Sequence, residues 1–392
     1  MLPMPTLKRA GRMDVRGTRF DIGGVLSLGL DNADAVTRRL VVAELDPFPP
    51  FRSAAEMDVV LERAAAGWRP AIVDIHGLAA DGSISASDGR SMYAVVDDRI
   101  ASVPDPWRND ELRFVYQPGF PVVRVFSSLI RPTIQIGMLL RDAATVHAAS
   151  VEIDGSAILV AGWSESGKTE TALALMEREA RFLSDKWTVV SADGRAAPFP
   201  INVGVRRWVL PYLPTLRGAM PRRSAARFLA SGAARAAITP ILRSGGRGRL
   251  AGLAGQAARH GLALADRVAL TPTELRNVYG QRDDATRRIP VRMVVLLTTV
   301  PAGTRPRIQN ADRGWVIERL VRAAAFERRA FFAWQERAAF AFPSRSTDPS
   351  IWIDRERRLL DEALGSVELV NVEAPFPTDP RPVADIIREC LH

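Results

Sequence analysis

The segment 157–176 constrains the fold of this chain most, because an apolar run, a glycine-containing turn and a helical pattern follow one another directly. Two strands are predicted at 150–153 and 157–161, joined by a tight turn at Asp154-Gly155. From 170 onward the apolar residues recur at helical spacing. A strand that leads directly into a helix is the unit from which α/β folds are built, so we predict an α/β protein.

The turn between this strand and helix matches the pattern G-x-x-x-x-G-K-[ST]. Glycines let backbone N–H groups approach phosphates closely, the helix start attracts anions, and the lysine adds a positive charge. We predict a nucleotide-phosphate site at Gly162, Ser164, Glu165, Ser166, Gly167, Lys168, Thr169 and Glu170. Mg²⁺ is expected on the Thr169 hydroxyl, and ATP is the expected nucleotide.

The alternative is an ordinary glycine-containing turn without a ligand. That alternative does not explain Lys168, because a cation at a helix start opposes the helix dipole unless an anion is present. Only three of the 53 basic residues are lysines, and one of them stands at this position.

The composition excludes several other classes of protein. The single cysteine, Cys390, rules out disulfide scaffolds and cysteine-based zinc sites, and the four histidines lack metal-ligand spacing. The N-terminus lacks the apolar segment of a signal peptide, and no apolar run approaches the length of a membrane span. We therefore expect a cytoplasmic protein without a membrane partner.

The net charge of +9 is concentrated in one window of the chain. Twelve arginines and no carboxylate lie between Asp193 and Asp266, so this window carries +12 and the remainder −3. Such a field attracts anions and suggests an acidic acceptor; the alternative is a solvated helical surface. Nucleic acid is not a favoured partner, because no aromatic residues interleave the basic ones and no nucleic-acid motif is present.

The pattern along the chain predicts two domains. Residues 1–137 read as a strand-rich N-terminal domain, and 138–392 as a nucleotide-binding domain with an Arg-rich helical insertion at about 205–262. The predicted strands of the first domain lie at 41–45, 69–77, 111–119 and 121–129, with a hairpin at 81–98. Helices are predicted at 53–67 and 131–144. Later strands are predicted at 292–300 and 366–373, and helices at 311–340 and 379–391.

Two further residues are candidates for catalysis. Asp185 ends a predicted short strand seventeen residues after Lys168, where a carboxylate faces the phosphates and can hold Mg²⁺ or take the proton of an attacking hydroxyl. His147 comes just before the strand pair and can touch either the carboxylate or the phosphates. The alternatives are an aspartate that caps a loop and a structural histidine.

Residues 146–190 resemble the catalytic core of the HPr kinase/phosphorylase family and its wider HPr-kinase-like relatives. The resemblance rests on His147-Ala148, on the extended loop from Gly162 to Leu173, and on the run from Arg178 to Asp185. It implies a P-loop kinase domain with a mixed sheet flanked by helices, preceded by a smaller strand-rich domain. It also implies ATP- and Mg²⁺-dependent phosphorylation of a serine- or threonine-type hydroxyl on a protein or peptide, such as a ribosomal peptide precursor.

The resemblance assigns individual roles to residues of this chain. Asp185 matches the carboxylate that deprotonates the acceptor, Lys168 the phosphate ligand, Thr169 the Mg²⁺ ligand and His147 the histidine near the carboxylate. Because members of that family are oligomeric, it also implies a homo-oligomer.

The chain departs from the family pattern in three places. Lys186 stands where the family has a second aspartate, Glu165 replaces a loop glycine, and the family's downstream metal-supporting glutamate has no match near 198–211. Two readings follow: an active kinase, in which Lys186 acts on the transferring phosphoryl group, or a nucleotide-binding regulatory pseudokinase without phosphotransfer. For Lys186 itself, the alternative is a side chain that points to solvent.

Overall fold

The computed structural model describes residues 17–52, 57–106, 112–228, 230, 266–282, 287–345 and 348–391. Over these residues the fold is mixed α/β, as the sequence predicts, with two large sheets and flanking helices. Most of the predicted Arg-rich insertion, residues 229 and 231–265, lies outside this range. Its first two residues belong to a strand rather than to a helix, because Val203–Arg206 pairs with Arg267–Leu270.

The first sheet has nine strands in the order β3-β1-β2-β4-β9-β8-β7-β6-β5. Its neighbours are antiparallel except for the parallel pairs β2–β4 and β4–β9. The strands are β1 Thr18–Ile22, β2 Leu26–Asp31, β3 Phe51–Arg52, β4 Val59–Arg63, β5 Asp74–Leu78, β6 Ile84–Ser87, β7 Met92–Val96, β8 Arg99–Val103 and β9 Leu112–Tyr116.

Three predictions in this region are wrong. The helix predicted at 53–67 is strand β4 over its described part, because the buried run Val59–Arg63 pairs on both sides with β2 and β9. The strand predicted at 41–45 is instead the end of a helix, Ala35–Glu44, which Asp34 caps by accepting a hydrogen bond from the Thr37 amide. The strand predicted at 121–129 forms the helical turns Val122–Val125 and Phe126–Ile130.

The second sheet contains the strand that leads into the glycine loop, our name for residues 162–169. Its order is β10-β14-β15-β18-β12-β11-β13, with β20 beside β18 and β19 beside β20. The strands are β10 Ala143–Val146, β11 Ala148–Ile153, β12 Ser156–Gly162, β13 Arg181–Ser184, β14 Thr188–Ser191, β15 Arg195–Pro198, β18 Ile289–Val300, β19 Arg307–Asn310 and β20 Glu368–Pro375. The pairs β12–β18 and β18–β20 are parallel, so the sheet is mixed. Strands β16 Val203–Arg206 and β17 Arg267–Leu270 form a separate ribbon.

Helices flank both sheets, and on the second sheet they cover both faces. They are α1 Ala35–Glu44, α2 Arg131–Leu140, α3 Lys168–Met176, α4 Pro214–Ala219, α5 Pro272–Val278, α6 Arg313–Glu327, α7 Arg329–Ala341, α8 Ser350–Ala363 and α9 Arg381–Glu389. On one face, α3 and α9 pack on an apolar cluster together with β11 and β12. On the other face, α2, α6 and α8 join a larger cluster that extends into the first sheet.

One helical stretch has the length and composition of a membrane span, contrary to our expectation from the sequence. Val122–Leu140 is 19 residues long with a mean hydropathy of 1.2, and 78% of it is buried inside the protein. Its buried apolar residues, among them Leu129 and Ile134, belong to the larger core cluster. The domain boundary predicted at 137 falls within this stretch.

Candidate functional site

The glycine loop connects β12 to α3 and has the shape that its glycines permit. The backbone φ angles are +151° at Gly162 and +92° at Gly167, in the region that favours glycine. A Cβ on Gly162 would lie 2.5 Å from Ser166 Oγ and 2.8 Å from the backbone oxygen of Leu297. Glu165 also has a positive φ, +62°, a conformation that glycine adopts more readily than other residues. The chain thus holds one non-glycine residue in a left-handed conformation at the centre of the loop.

Lys168 begins α3 and folds back over the loop. Its ammonium donates hydrogen bonds to the backbone oxygens of Gly162, at 3.1 Å, and Trp163, at 2.6 Å. The side chain is buried, and this burial lowers the pKa of Lys168 to about 8, against the attraction of nearby carboxylates. The loop carbonyl oxygens therefore hold the ammonium against the glycine loop at the start of α3, where a phosphate would bind.

Thr169 and Asp185 meet on the floor of the site. The Thr169 hydroxyl donates a 2.8 Å hydrogen bond to Asp185 Oδ1 from the first turn of α3, while Asp185 directly follows β13. Asp185 is only 3% exposed, and burial raises the pKa of its carboxyl. A hydroxyl and a carboxylate at this distance fit the oxygen-rich ligand set of Mg²⁺. In the described part of the chain, no three His, Cys, Asp or Glu side chains converge as a metal cage would require, so phosphate and water would complete the coordination.

His147 lies between β10 and β11 and is buried. Burial, followed by the charges of Lys168 and Lys186, lowers the pKa of His147 to about 2, so its ring is neutral. Its Nδ1 has no hydrogen-bond partner among the described residues, and its Nε2 is 3.9 Å from Glu327 Oε1. The ring packs against Trp187 with centroids 5.3 Å apart. A neutral histidine can orient or accept hydrogen bonds here but cannot supply a positive charge.

These residues surround a single cavity of about 200 Å³. Of the predicted site residues, Ser164, Glu165, Ser166, Gly167, Lys168, Thr169, Glu170, His147 and Asp185 line it. Gly162 is not part of the lining; it instead shapes the loop and accepts the Lys168 hydrogen bond. The structure therefore brings together predicted site residues from three separate stretches between 147 and 185.

Further lining residues escaped the sequence analysis: Gly204, Arg206, Arg267, Glu327 and Phe376. The Arg267 side chain lies so close to Gly204 that a larger residue would clash with it, since a Cβ at this position would be 1.9 Å from Arg267 Nε. The arginine-rich window contains Gly204 and Arg206 and was a usable signal for them. Glu327, by contrast, ends the distant helix α6, and nothing in its local sequence points to the cavity.

Arg206 connects two carboxylates of the loop region. Its guanidinium is 2.7 Å from Glu165 Oε1 and 4.0 Å from Glu170 Oε1. Glu170 is buried, and burial raises its pKa. Four basic and four acidic side chains line the cavity, so the cavity itself carries no excess charge.

Lys186, next to Asp185, lines the same cavity. Its backbone has a φ of +57°, and its ammonium lies 3.0 Å from Glu327 Oε2. The position that departs from the family pattern is thus occupied by an ion pair.

A scan against models of known protein families finds no match to this chain, and a search of the curated proteins finds none either. The functional interpretation therefore rests on the chemistry of the site residues and on the resemblance of residues 146–190 described above.

Proposed function

We propose that this chain is an ATP-dependent kinase that transfers the γ-phosphate to a serine- or threonine-type hydroxyl of a protein or peptide. The observation that carries the proposal is the 2.8 Å contact between Thr169 Oγ1 and Asp185 Oδ1 at the start of α3. It joins a hydroxyl suited to Mg²⁺ and a carboxylate suited to Mg²⁺ or a proton in one cavity with Lys168. The resemblance of 146–190 to HPr-kinase-like proteins points to the same chemistry.

In this proposal the glycine loop and Lys168 bind the phosphates, and Thr169 and Asp185 hold Mg²⁺. Mg²⁺ neutralises charge on the phosphates when it is bound. The acceptor hydroxyl oxygen forms a bond to the γ-phosphorus, while the bond from that phosphorus to the bridging oxygen of ADP breaks. The hydroxyl proton passes to the Asp185 carboxylate. The products are ADP and the phosphate ester.

The acceptor is proposed to be acidic on the strength of the arginine-rich window, and a small hydroxyl compound is compatible with the same chemistry. The enzyme would act in the cytoplasm, where ATP is available. It would form a homo-oligomer with further copies of this chain.

The test is transfer of label from [γ-³²P]ATP, with GTP in parallel, to a peptide library and to products of neighbouring genes. Asp185→Asn and Lys168→Ala are expected to lose at least about a hundredfold in transfer. Asp193→Asn is the matched control, because Asp193 is exposed and paired with Arg288 outside the cavity. Transfer that survives Asp185→Asn unchanged would remove Asp185 from the chemistry and refute the proposed mechanism.

The second candidate function is a nucleotide-binding regulatory pseudokinase. The observation that favours it is Lys186 in place of a second acid, paired with Glu327 rather than free. ATP binding that requires Lys168, with no transfer or hydrolysis under any condition, would select this alternative.

A further inference from the structure

The pair Lys186–Glu327 occupies the part of the cavity beside Asp185. The Lys186 side chain is 42% exposed, so its ammonium is reachable by a ligand in the cavity. The side chain of Glu327 is only 14% exposed and has no comparable access to solvent. The glutamate is therefore enclosed by the protein, while the lysine ammonium that it pairs with stays accessible from the cavity.

Glu327 is fixed because the end of α6 is anchored on two sides. Phe326 packs against Trp163 of the glycine loop, with ring centroids 4.7 Å apart and the ring planes tilted by 39°. Arg328, the next residue, forms a buried ion pair with Glu356 of α8 and lies 6.0 Å over the Trp187 ring. Glu327 is also the last residue of α6, at the negative end of the helix dipole. The dipole therefore adds to the attraction between the Glu327 carboxylate and the Lys186 ammonium.

The same region offers few ligands for a second metal ion. Among the described residues no cluster of three or more metal-ligating side chains exists, and the contact of Thr169 with Asp185 provides for one ion. A second divalent cation beside Asp185 would be repelled by the ammonium of Lys186 at short range. Many kinases use two Mg²⁺ ions on the phosphates, and a fixed protein cation can supply the same charge.

We infer that Lys186, held in place by Glu327, substitutes for the second metal ion of the kinase site, so that the site takes one Mg²⁺ per nucleotide. This inference rests on the proposed function. Lys186 is then a catalytic residue that contacts an oxygen of the transferred phosphoryl group, and Glu327 is a positioning residue that acts through it.

The decisive measurement is the number of Mn²⁺ ions bound per chain in the presence of a non-hydrolysable ATP analogue, followed by electron paramagnetic resonance. The wild-type protein is expected to bind one ion, and Lys186→Asp is expected to bind two. Two ions in the wild type, or one ion in both proteins, would overturn the inference. If the wild type binds no nucleotide, both the proposed function and this inference fail. If the wild type binds nucleotide together with two ions, only the role of Lys186 is refuted.

Kinetic measurements test the two roles separately. Lys186→Met is expected to lower kcat about a hundredfold or more, as loss of one transition-state contact does, with little change in KM for ATP. Glu327→Asp should retain more of the wild-type kcat than Glu327→Gln, because it keeps the carboxylate that positions Lys186. If Glu327 had only a structural role, this difference between the two variants would not be expected. The double variant Lys186→Met/Glu327→Gln leaves no unpaired charge and provides a folded reference. Arg329→Met is the matched control, since Arg329 lies 4.2 Å over the Phe326 ring but outside the cavity lining; an equal loss there would refute the assignment.

Discussion

Replacing Lys168 by methionine should change stability in a way that reports directly on the burial of its ammonium. A shift of the lysine pKa from 10.5 to about 8 corresponds to about 3 kcal/mol of unfavourable burial at neutral pH. Lys168→Met removes this penalty but also removes two hydrogen bonds to loop carbonyls, each worth about 1 kcal/mol. We therefore expect the variant to be more stable than the wild type by about 1–2 kcal/mol at pH 7.

The pH dependence gives the sharper test, because it does not depend on the value of those hydrogen bonds. Below pH 8 the lysine is charged in both the folded and the unfolded state, so the full penalty is present. Between pH 8 and 10.5 the folded state has lost the proton while the unfolded state still holds it. Stability of the wild type therefore rises with pH relative to the variant, by about 1.4 kcal/mol per pH unit at most.

The assay is urea-induced unfolding of both proteins at half-unit steps from pH 7 to 10.5, comparing the difference in unfolding free energy at each pH. Titrating tyrosines contribute equally to both proteins and cancel in this difference. Thr169→Val is the matched control, because it removes a neighbouring polar group without changing the charge, and it should keep the wild-type pH dependence. A difference between wild type and Lys168→Met that is constant over this range would show that the ammonium is not buried.

Three other substitutions test separate parts of the structure. Gly204→Ala should displace the flexible Arg267 side chain from the cavity, because the added Cβ would clash with it. Calorimetry should then show nucleotide binding weakened several-fold, while the unfolding free energy changes by less than about 1 kcal/mol. An unchanged nucleotide affinity would contradict this. Glu356→Gln should lower the unfolding free energy by about 3 kcal/mol or more, because it leaves the buried Arg328 unpaired, and Arg328→Met/Glu356→Leu should recover most of the loss in urea titrations. As the pH falls below 6.5, the unfolding free energy of His147→Gln should decrease less than that of the wild type. In the wild type the unfolded histidine binds a proton, whereas the folded histidine, with a pKa of about 2, stays neutral. Unfolding free energies of the two proteins that decrease in parallel with pH would disprove this.

Local sequence signals predicted the centre of the site well. The strand pair around Asp154-Gly155 is observed as β11 and β12, because a two-residue turn fixes the register of the strands beside it. The short strand before Asp185 and the helix after the glycine loop are also observed. In each case the deciding interactions lie within a few residues of one another in sequence.

Predictions failed where distant partners decide the structure. The run at Val59–Arg63 was compatible with a buried helix or a buried strand, and only the hydrogen bonds to β2 and β9 make it a strand. Glu327 was missed for the same reason, since its role depends on the packing of α6 against the second sheet and the glycine loop. Sequence spacing carries no information about such contacts.

The electrostatics of the cavity favour a bound anion and cation over an empty structural turn. Four ionisable side chains of the cavity are at most 7% exposed: Asp185, Glu170, Lys168 and His147. Burial raises the pKa of the two carboxyls and lowers the pKa of the lysine and the histidine, which favours the neutral form of each group. Such a cluster destabilises the unliganded fold, and a turn with only a structural role has no need of it. Phosphate oxygens would pair with the Lys168 ammonium, and Mg²⁺ would pair with the Asp185 carboxylate, so a bound nucleotide would offset the unfavourable burial of both groups. In the proposed function, this relief in the bound state would contribute to the free energy of nucleotide binding.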